Sequence, residues 1–247
     1  MKKVLIIGGT SAIARATALN FAKDGADLYL ADIKLSRLEE VQKDIQALSQ
    51  GANISIGEFP LADINIHKSL FDAALSELGE IDAVLIAHGT LPDQEKIQND
   101  NLAVTEQINI NFTSVVSLAT VAAAYFEEKG SGCIAAISSV AGDRGRQSNY
   151  VYGAAKGGIS LFMQGMRNRF AKKNIAVVTI KPGFVDTPMT ANMPKNPLYS
   201  SPETVGKAIF EAMKKGSKDI AYIPGFWRLI MIIIRMIPES IFKKLSL

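Results

Sequence analysis

A single cysteine, Cys133, excludes a framework of internal disulfides and suits a reducing compartment. It lies in the apolar run Gly132-Cys133-Ile134-Ala135-Ala136-Ile137, so a buried strand position is its expected role. Histidine is nearly as scarce. His67 and His88 stand far apart, at no spacing a metal uses, and no metal site is expected. An excess of one charge is also missing. The net charge is +3 and no basic cluster alternates with aromatics, so no nucleic-acid partner is expected. The apolar stretch at residues 225–238 is too short, and too interrupted by arginine, to span a bilayer that needs roughly 20 apolar residues. Only four apolar residues follow Met1-Lys2-Lys3, too few for the core of a signal peptide, and a cytoplasmic location is expected.

What the chain does have is alternation. Largely apolar runs at residues 4–7, 28–31, 54–59, 83–87, 133–137, 176–180 and 220–223 are separated by helix-length segments. Strands spaced in this way imply βαβ crossovers. The expected fold is a single doubly wound α/β domain of the Rossmann type, with a mostly parallel seven-stranded sheet and helices on both faces. A chain of 247 residues, 48% hydrophobic and 21% charged, suits one such domain. It is expected to span residues 1–224, followed by a helical, amphipathic extension over 225–247. The expected loops are 89–100, 141–148 and 188–202, the last two following strands where ligands bind such sheets. The segment 188–202 reads as a substrate lid or as a plain connection.

Two stretches carry chemistry. The first apolar run leads into Gly8-Gly9-Thr10-Ser11-Ala12-Ile13-Ala14 and then into a helical pattern. A glycine-containing turn there points N–H groups and the positive end of the helix dipole at a phosphate. Alanine at 12 and 14 leaves less room than glycine. Further on, Tyr152 and Lys156 stand four residues apart on an expected helix face, with Ser139 upstream. An ammonium beside a phenol would lower its pKa from about 10 and make it a usable acid or base. A hydroxyl such as that of Ser139 can hold a carbonyl. Asp32, ending the second strand, would bond the adenosine ribose and repel a 2′-phosphate, so NAD(H) is favoured over NADP(H), although Lys34 and Arg37 follow.

In order and spacing the chain resembles the short-chain dehydrogenase/reductase family over nearly its whole length. The resemblance rests on Gly8, Ala12 and Ala14, Asp63-Ile64, Asn111-Phe112-Thr113-Ser114, Ile137-Ser138-Ser139, Tyr152 to Lys156, and Pro182-Gly183-Phe184-Val185-Asp186-Thr187-Pro188. It implies an NAD(P)-dependent enzyme that interconverts a ketone and a secondary alcohol. In that reading Tyr152 exchanges the proton, Lys156 lowers its pKa and holds the nicotinamide ribose, and Ser139 bonds the carbonyl. Asn111 anchors a water linking Lys156 to solvent. Gly8, Thr10, Ser11, Ala12 and Ile13 cradle the cofactor, and Asp63 meets the adenine amino group. Ile64, Ala87, Gly89, Pro182, Gly183, Val185 and Thr187 complete the binding set. Ser138 and Asn109 are the rivals of Ser139 and Asn111; family spacing selects the latter pair. Tyr150 has no lysine four residues on. One departure stands out: Ile86-Ala87-His88-Gly89 replaces the family's Asn-Asn-Ala-Gly near the cofactor ribose. The resemblance also implies a homodimer or homotetramer through residues 105–128 and 149–172.

The C-terminal stretch Gly225-Phe226-Trp227-Arg228-Leu229-Ile230-Met231-Ile232-Ile233-Ile234-Arg235-Met236-Ile237-Pro238 is dense in large apolar residues. As one helix it would set Arg228, Arg235 and Glu239 on one narrow face. Ile241, Phe242 and Leu245 continue the apolar side beside Lys243 and Lys244. Such a segment suits a membrane interface, at the inner face for a cytoplasmic protein, or burial against a subunit or pocket. With Gly8-Gly9-Thr10-Ser11 it is similar to reductases that complete the epimerisation of polyprenyl-phosphate-linked ribose, which implies a lipid-linked keto-sugar. The alternatives are a soluble reductase of small ketones, with the tail as lid or dimer contact, and a non-catalytic nucleotide-binding scaffold. Intact Asn111, Ser139, Tyr152 and Lys156 argue against the scaffold.

Overall fold

Each apolar run becomes a strand in the computed structural model, which describes residues 1–49, 51–216 and 219–245. They are β1 (Lys3–Ile7), β2 (Asp27–Asp32), β3 (Ile54–Glu58), β4 (Ala83–Ile86), β5 (Ser131–Ile137), β6 (Asn174–Pro182) and β7 (Ile220–Ile223). The order across the sheet is β3-β2-β1-β4-β5-β6-β7. Every pairing is parallel, where the sequence led us to expect a mostly parallel sheet.

The helices are α1 (Ala12–Lys23), α2 (Leu35–Leu48), α3 (His67–Leu78), α4 (Gln94–Ile97), α5 (Asn101–Ile108), α6 (Ser114–Lys129), α7 (Tyr150–Phe170), α8 (Pro202–Lys215), α9 (Trp227–Met236) and α10 (Glu239–Phe242). Side chains alternate across a strand, and β1 shows the result. Val4 and Ile6 pack with Phe21 of α1, Leu38 of α2 and Ile209 of α8. Leu5 and Ile7 pack on the other face with Leu70 of α3, Phe126 of α6 and Met163 of α7. With both faces covered, a strand must be apolar throughout, and burying each Leu or Ile contributes about 1.5–3 kcal/mol. Cys133 is fully buried in β5, and burial pushes its thiol up to about 12, so it is an inert core residue.

Helices α5 and α6 join through a π-helical stretch, Asn109–Thr113. The continuous helix Asn101–Lys129 is long and apolar enough to cross a membrane. Its buried Leu118, Ala122 and Phe126 instead pack on the sheet as core.

The tail departs from the single helix expected. Ile237 is extended and Pro238 intervenes, so α9 stops at Met236 and Glu239 opens α10. Arg228 and Arg235 still share one side of α9. Glu239 instead reaches Arg144, with Oε2 2.7 Å from Nη2. Trp227 and Met231 are buried against Val140, with Ile230 and Ile234 packed alongside. On the opposite side Leu229, Ile232, Ile233 and Met236 form an exposed stripe at i, i+3, i+4, i+7. Burial and exposure, posed as alternatives in the sequence, both occur on one helix. Ser246 and Leu247, the end of the expected extension, lie outside the described residues.

Candidate active site

The strand order reverses between β1 and β4, which opens a crevice at the carboxyl ends of the strands. A cleft of about 480 Å³ lies there. On one side, β1 turns at Gly8, where φ is +84° and an added Cβ would stand 2.5 Å from the His88 backbone nitrogen. Only glycine permits both the turn and the approach. Ser11 caps α1, its Oγ accepting from Ala14 N at 3.1 Å, and no acidic residue in the first turn opposes the dipole. Thr10, Ser11, Ala12 and Ile13 line the cleft at that positive end. These residues fit a dinucleotide diphosphate: a glycine turn, a capped helix terminus and small side chains. Asp32 is buried and positioned by the same turn, accepting from Thr10 N at 2.8 Å, Thr10 Oγ1 at 2.7 Å and Ile33 N at 2.7 Å.

The opposite wall brings Ser139, at the end of β5, onto the first turns of α7. Gly142 and Gly153 make this possible. A Cβ on Gly142 would stand 2.5 Å from Gly157 N, and one on Gly153 would stand 3.0 Å from the Ala141 carbonyl oxygen. Ser139 Oγ accepts from Ala141 N at 3.1 Å, and its side chain lines the cleft with Tyr152. Ser138 points the other way, its hydroxyl 2.7 Å from the Lys156 carbonyl oxygen and 2.8 Å from Ser160 Oγ. Asn109 donates to the Ala62 carbonyl at 3.0 Å. Both rivals are thus held outside the Ser139–Tyr152 pair.

Electrostatics in this wall correct the sequence expectation. Burial pushes the Tyr152 phenol up to about 12, and the nearby Ser139 hydroxyl only partly opposes it. Lys156 does not draw it down. Its Nζ donates to the Ile137 carbonyl at 2.9 Å and lies 5.7 Å from the Tyr152 ring centroid, over the face rather than beside the hydroxyl. Burial lowers Lys156 itself to about 8. At neutral pH both groups therefore hold their protons.

Asn111 sits fully buried in the π-helical stretch, a feature often found where a helix is bent to serve a site. Its Oδ1 accepts from Thr90 N at 2.9 Å. A Cβ on Gly89 would stand 2.8 Å from that oxygen and 3.2 Å from Lys156 Nζ, so Asn111, Gly89 and Lys156 converge.

The His88 departure acquires a role of its own. Ser114 donates its proton to the Ile110 carbonyl at 2.8 Å, so it can only accept from His88 Nε2 at 2.7 Å. His88 is therefore the neutral Nε2–H tautomer, and its Nδ1 is a buried acceptor without a partner. Burial, helped by the charges of Lys156 and His67, pushes His88 down to about 3. The unfolded chain takes up a proton near the ordinary value of 6.5 and the folded one does not, so stability is lost as pH falls from 6.5 towards 3. Between pH 7 and 4.5 the parent chain should lose roughly 2–3 kcal/mol more than His88→Ala, read from urea unfolding at both pH values. Equal losses would rule this account out. His67, by contrast, is a satisfied core histidine, held by Ser117 and the Leu61 carbonyl.

Of the remaining expected residues, Ala87, Gly89, Pro182, Gly183, Val185 and Thr187 line the cleft. Asp63, Ile64 and Asn111 do not, and Leu61 and Ala62 take the position beside β3 instead. Asp63 caps the short turn Ile64–Ile66 by accepting from Asn65 N at 3.0 Å. Sequence reasoning missed Arg146, Phe184 and Met189 as lining residues. Arg146 and Phe184 fall inside segments the sequence marked, and Met189 inside the expected lid.

A sequence model described as short chain dehydrogenase matches residues 2–198. A Streptomyces coelicolor protein named as an uncharacterized oxidoreductase is 30% identical over 99% of this chain and 96% of its own length. An uncharacterized oxidoreductase of Mycobacterium tuberculosis is 31% identical over 98% and 96%. A 3-oxoacyl-[acyl-carrier-protein] reductase of Thermotoga maritima is 26% identical over 91% and 94%. Among solved structures, levodione reductase shares the fold with a TM-score of 0.83 at 23% identity, over 91% of this chain and 96% of its own.

Proposed function

The chain belongs to the short-chain dehydrogenase family, whose members are NAD(P)-dependent oxidoreductases, and from that premise we propose that it reduces a ketone to a secondary alcohol with Tyr152 as the proton donor. The observation that carries this reading is the convergence of Ser139, Tyr152 and Lys156 on one cleft, with Lys156 across the tyrosine ring. A phenol at about 12 keeps its proton at working pH and can deliver it from Oη to a carbonyl oxygen. Ser139 Oγ holds the same oxygen and stabilises charge as it develops. Lys156 Nζ, at about 8, is the neighbouring reservoir from which that proton is restored. A bound nicotinamide supplies the hydride.

The cofactor we favour is NAD(H). Asp32 Oδ1 and Oδ2 accept three donors, which leaves one of a carboxylate's roughly four acceptor positions for a ribose hydroxyl, and its charge repels a 2′-phosphate. Arg37, which lines the same end, is the feature that favours NADP(H). Titration by nicotinamide fluorescence should show NADH binding about tenfold tighter than NADPH or better, with Asp32→Ser narrowing the gap. Binding of neither nucleotide would sink the oxidoreductase reading in favour of a non-catalytic scaffold.

The tail supports a finer proposal: the substrate is lipid-linked and met at an anionic membrane surface. The exposed stripe of α9 is bordered by Arg228 and Arg235, with Lys243 and Lys244 beyond α10. Trp227 packs edge-on against Phe184, which lines the cleft, so the buried side of α9 is anchored to the cleft wall and its stripe faces away from it. We further propose a homodimer or homotetramer through α5 to α7, where Leu102 and Leu161 point outward at 74% and 71% exposure.

A further inference from the structure

The loop between Ser139 and α7 carries a charge that makes no direct ion pair; Asp143 answers it only at a distance. Asp143 is engaged by buried Lys181 and by the Tyr222 hydroxyl at 2.7 Å. Arg144 pairs with Glu239 and lies 4.2 Å over the Phe242 ring. Arg146 takes part in no ion pair among the described residues. Its nearest partner is the Met231 thioether, a weak acceptor 3.9 Å from Nη2, and its Nε is buried with no partner. A guanidinium stays charged at any working pH, and a half-buried charge whose nearest counter-charge, Asp143, is held by Lys181 and Tyr222 is costly to maintain.

Its position says what it could meet. The Arg146 carbonyl accepts from Asn149 N at 3.2 Å, which fixes it in the turn that enters α7 just before Tyr152. Arg146, Ser139 and Tyr152 line one cleft. No acidic side chain in the first turn of α7 offsets the helix dipole, so the local potential is positive. The diphosphate cradle follows β1, whereas Arg146 follows β5, two strands and so roughly 10 Å further across the sheet. That separation places Arg146 on the Ser139–Tyr152 side of the cleft.

We propose that Arg146 receives an oxyanion carried by the substrate: the ketone bears a phosphate or carboxylate within a side chain's reach of the carbonyl held by Ser139 and Tyr152. This rests on the oxidoreductase reading and narrows it to anionic ketones. A guanidinium offers two parallel N–H donors to either group, which makes it selective as well as attractive.

The test uses the full chain saturated with NADH and three probes: dihydroxyacetone phosphate, acetoacetate and neutral dihydroxyacetone. Binding is read from the fluorescence of bound NADH, and turnover from NADH oxidation. An anionic probe should bind roughly 10- to 100-fold tighter than the neutral one, and the two anionic arms show whether phosphate or carboxylate fits. In Arg146→Met that ratio should fall to about one, with Arg146→Gln as the second variant if the first does not fold; Arg146→Lys should retain part of it. Retained NADH binding reports that each variant is folded. No anionic preference in the parent chain, or one that survives Arg146→Met, overturns the proposal. A preference that Arg146→Met removes, with none of the probes reduced by the parent, upholds the anion site and rules out these small ketones as substrates.

Discussion

Tyr152→Phe should fold and bind NADH like the parent chain while reducing ketones roughly 10²- to 10⁴-fold more slowly. The substitution removes one oxygen. The hydrogen bonds that hold Ser139 and Lys156 in the fold do not depend on that oxygen, so the loss is at most about 1 kcal/mol, which a domain of this size tolerates. What disappears is the donor that the cleft presents to a carbonyl oxygen. Ser139→Ala should keep that donor and lose the second contact, giving a smaller drop in kcat. Raising pH should weaken reduction once it passes about 8, where Lys156 Nζ gives up its proton, well before the phenol at about 12 titrates. A Tyr152→Phe variant that turned over at the parent rate would remove Tyr152 from the chemistry. A rate unchanged from pH 7 to 9.5 would separate Lys156 from proton supply.

The fold was legible because both faces of the sheet are covered. A strand such as β1 is then apolar from Val4 to Ile7, and seven largely apolar runs stand out between helical segments. Ser139 over Ser138 was legible for a similar reason: neighbouring strand residues face opposite ways, and spacing to Tyr152 decides which one counts. The tyrosine pKa was not legible. Sequence spacing shows that Lys156 is near, but not that its ammonium is tied to the Ile137 carbonyl, nor that burial outweighs its charge. Arg146 was hidden for a different reason. Arg144 and Arg146 look alike in the chain, and only the fold brings Glu239 back to the first and leaves the second unpaired. The break at Pro238, which frees Glu239 for that contact, could have been weighed from the proline alone.

The full chain should pellet with anionic phospholipid vesicles, and Ile233→Asp/Met236→Asp should leave it in the supernatant. Leu229, Ile232, Ile233 and Met236 are 64%, 47%, 57% and 76% exposed, a stripe with no partner among the described residues. Even half of the roughly 1.5–3 kcal/mol available per side chain adds up, over four side chains, to a partition change of about 10²- to 10⁴-fold. Arg228 and Arg235 stand at the border of the stripe, where they reach headgroups, and each basic group near an anionic surface adds about 1 kcal/mol. Two aspartates reverse both terms at once. They should not unfold the chain, because Ile233 and Met236 lie opposite the Trp227 and Met231 side that packs on Val140. Binding to anionic but not neutral vesicles, weakened by salt, places α9 in the interface and the substrate among lipid-linked ketones. If the protein stays in solution and light scattering shows a dimer that the double variant loses, the stripe is a subunit contact. If neither happens, the tail serves to brace the Ser139 loop, and small soluble ketones become the substrates to try.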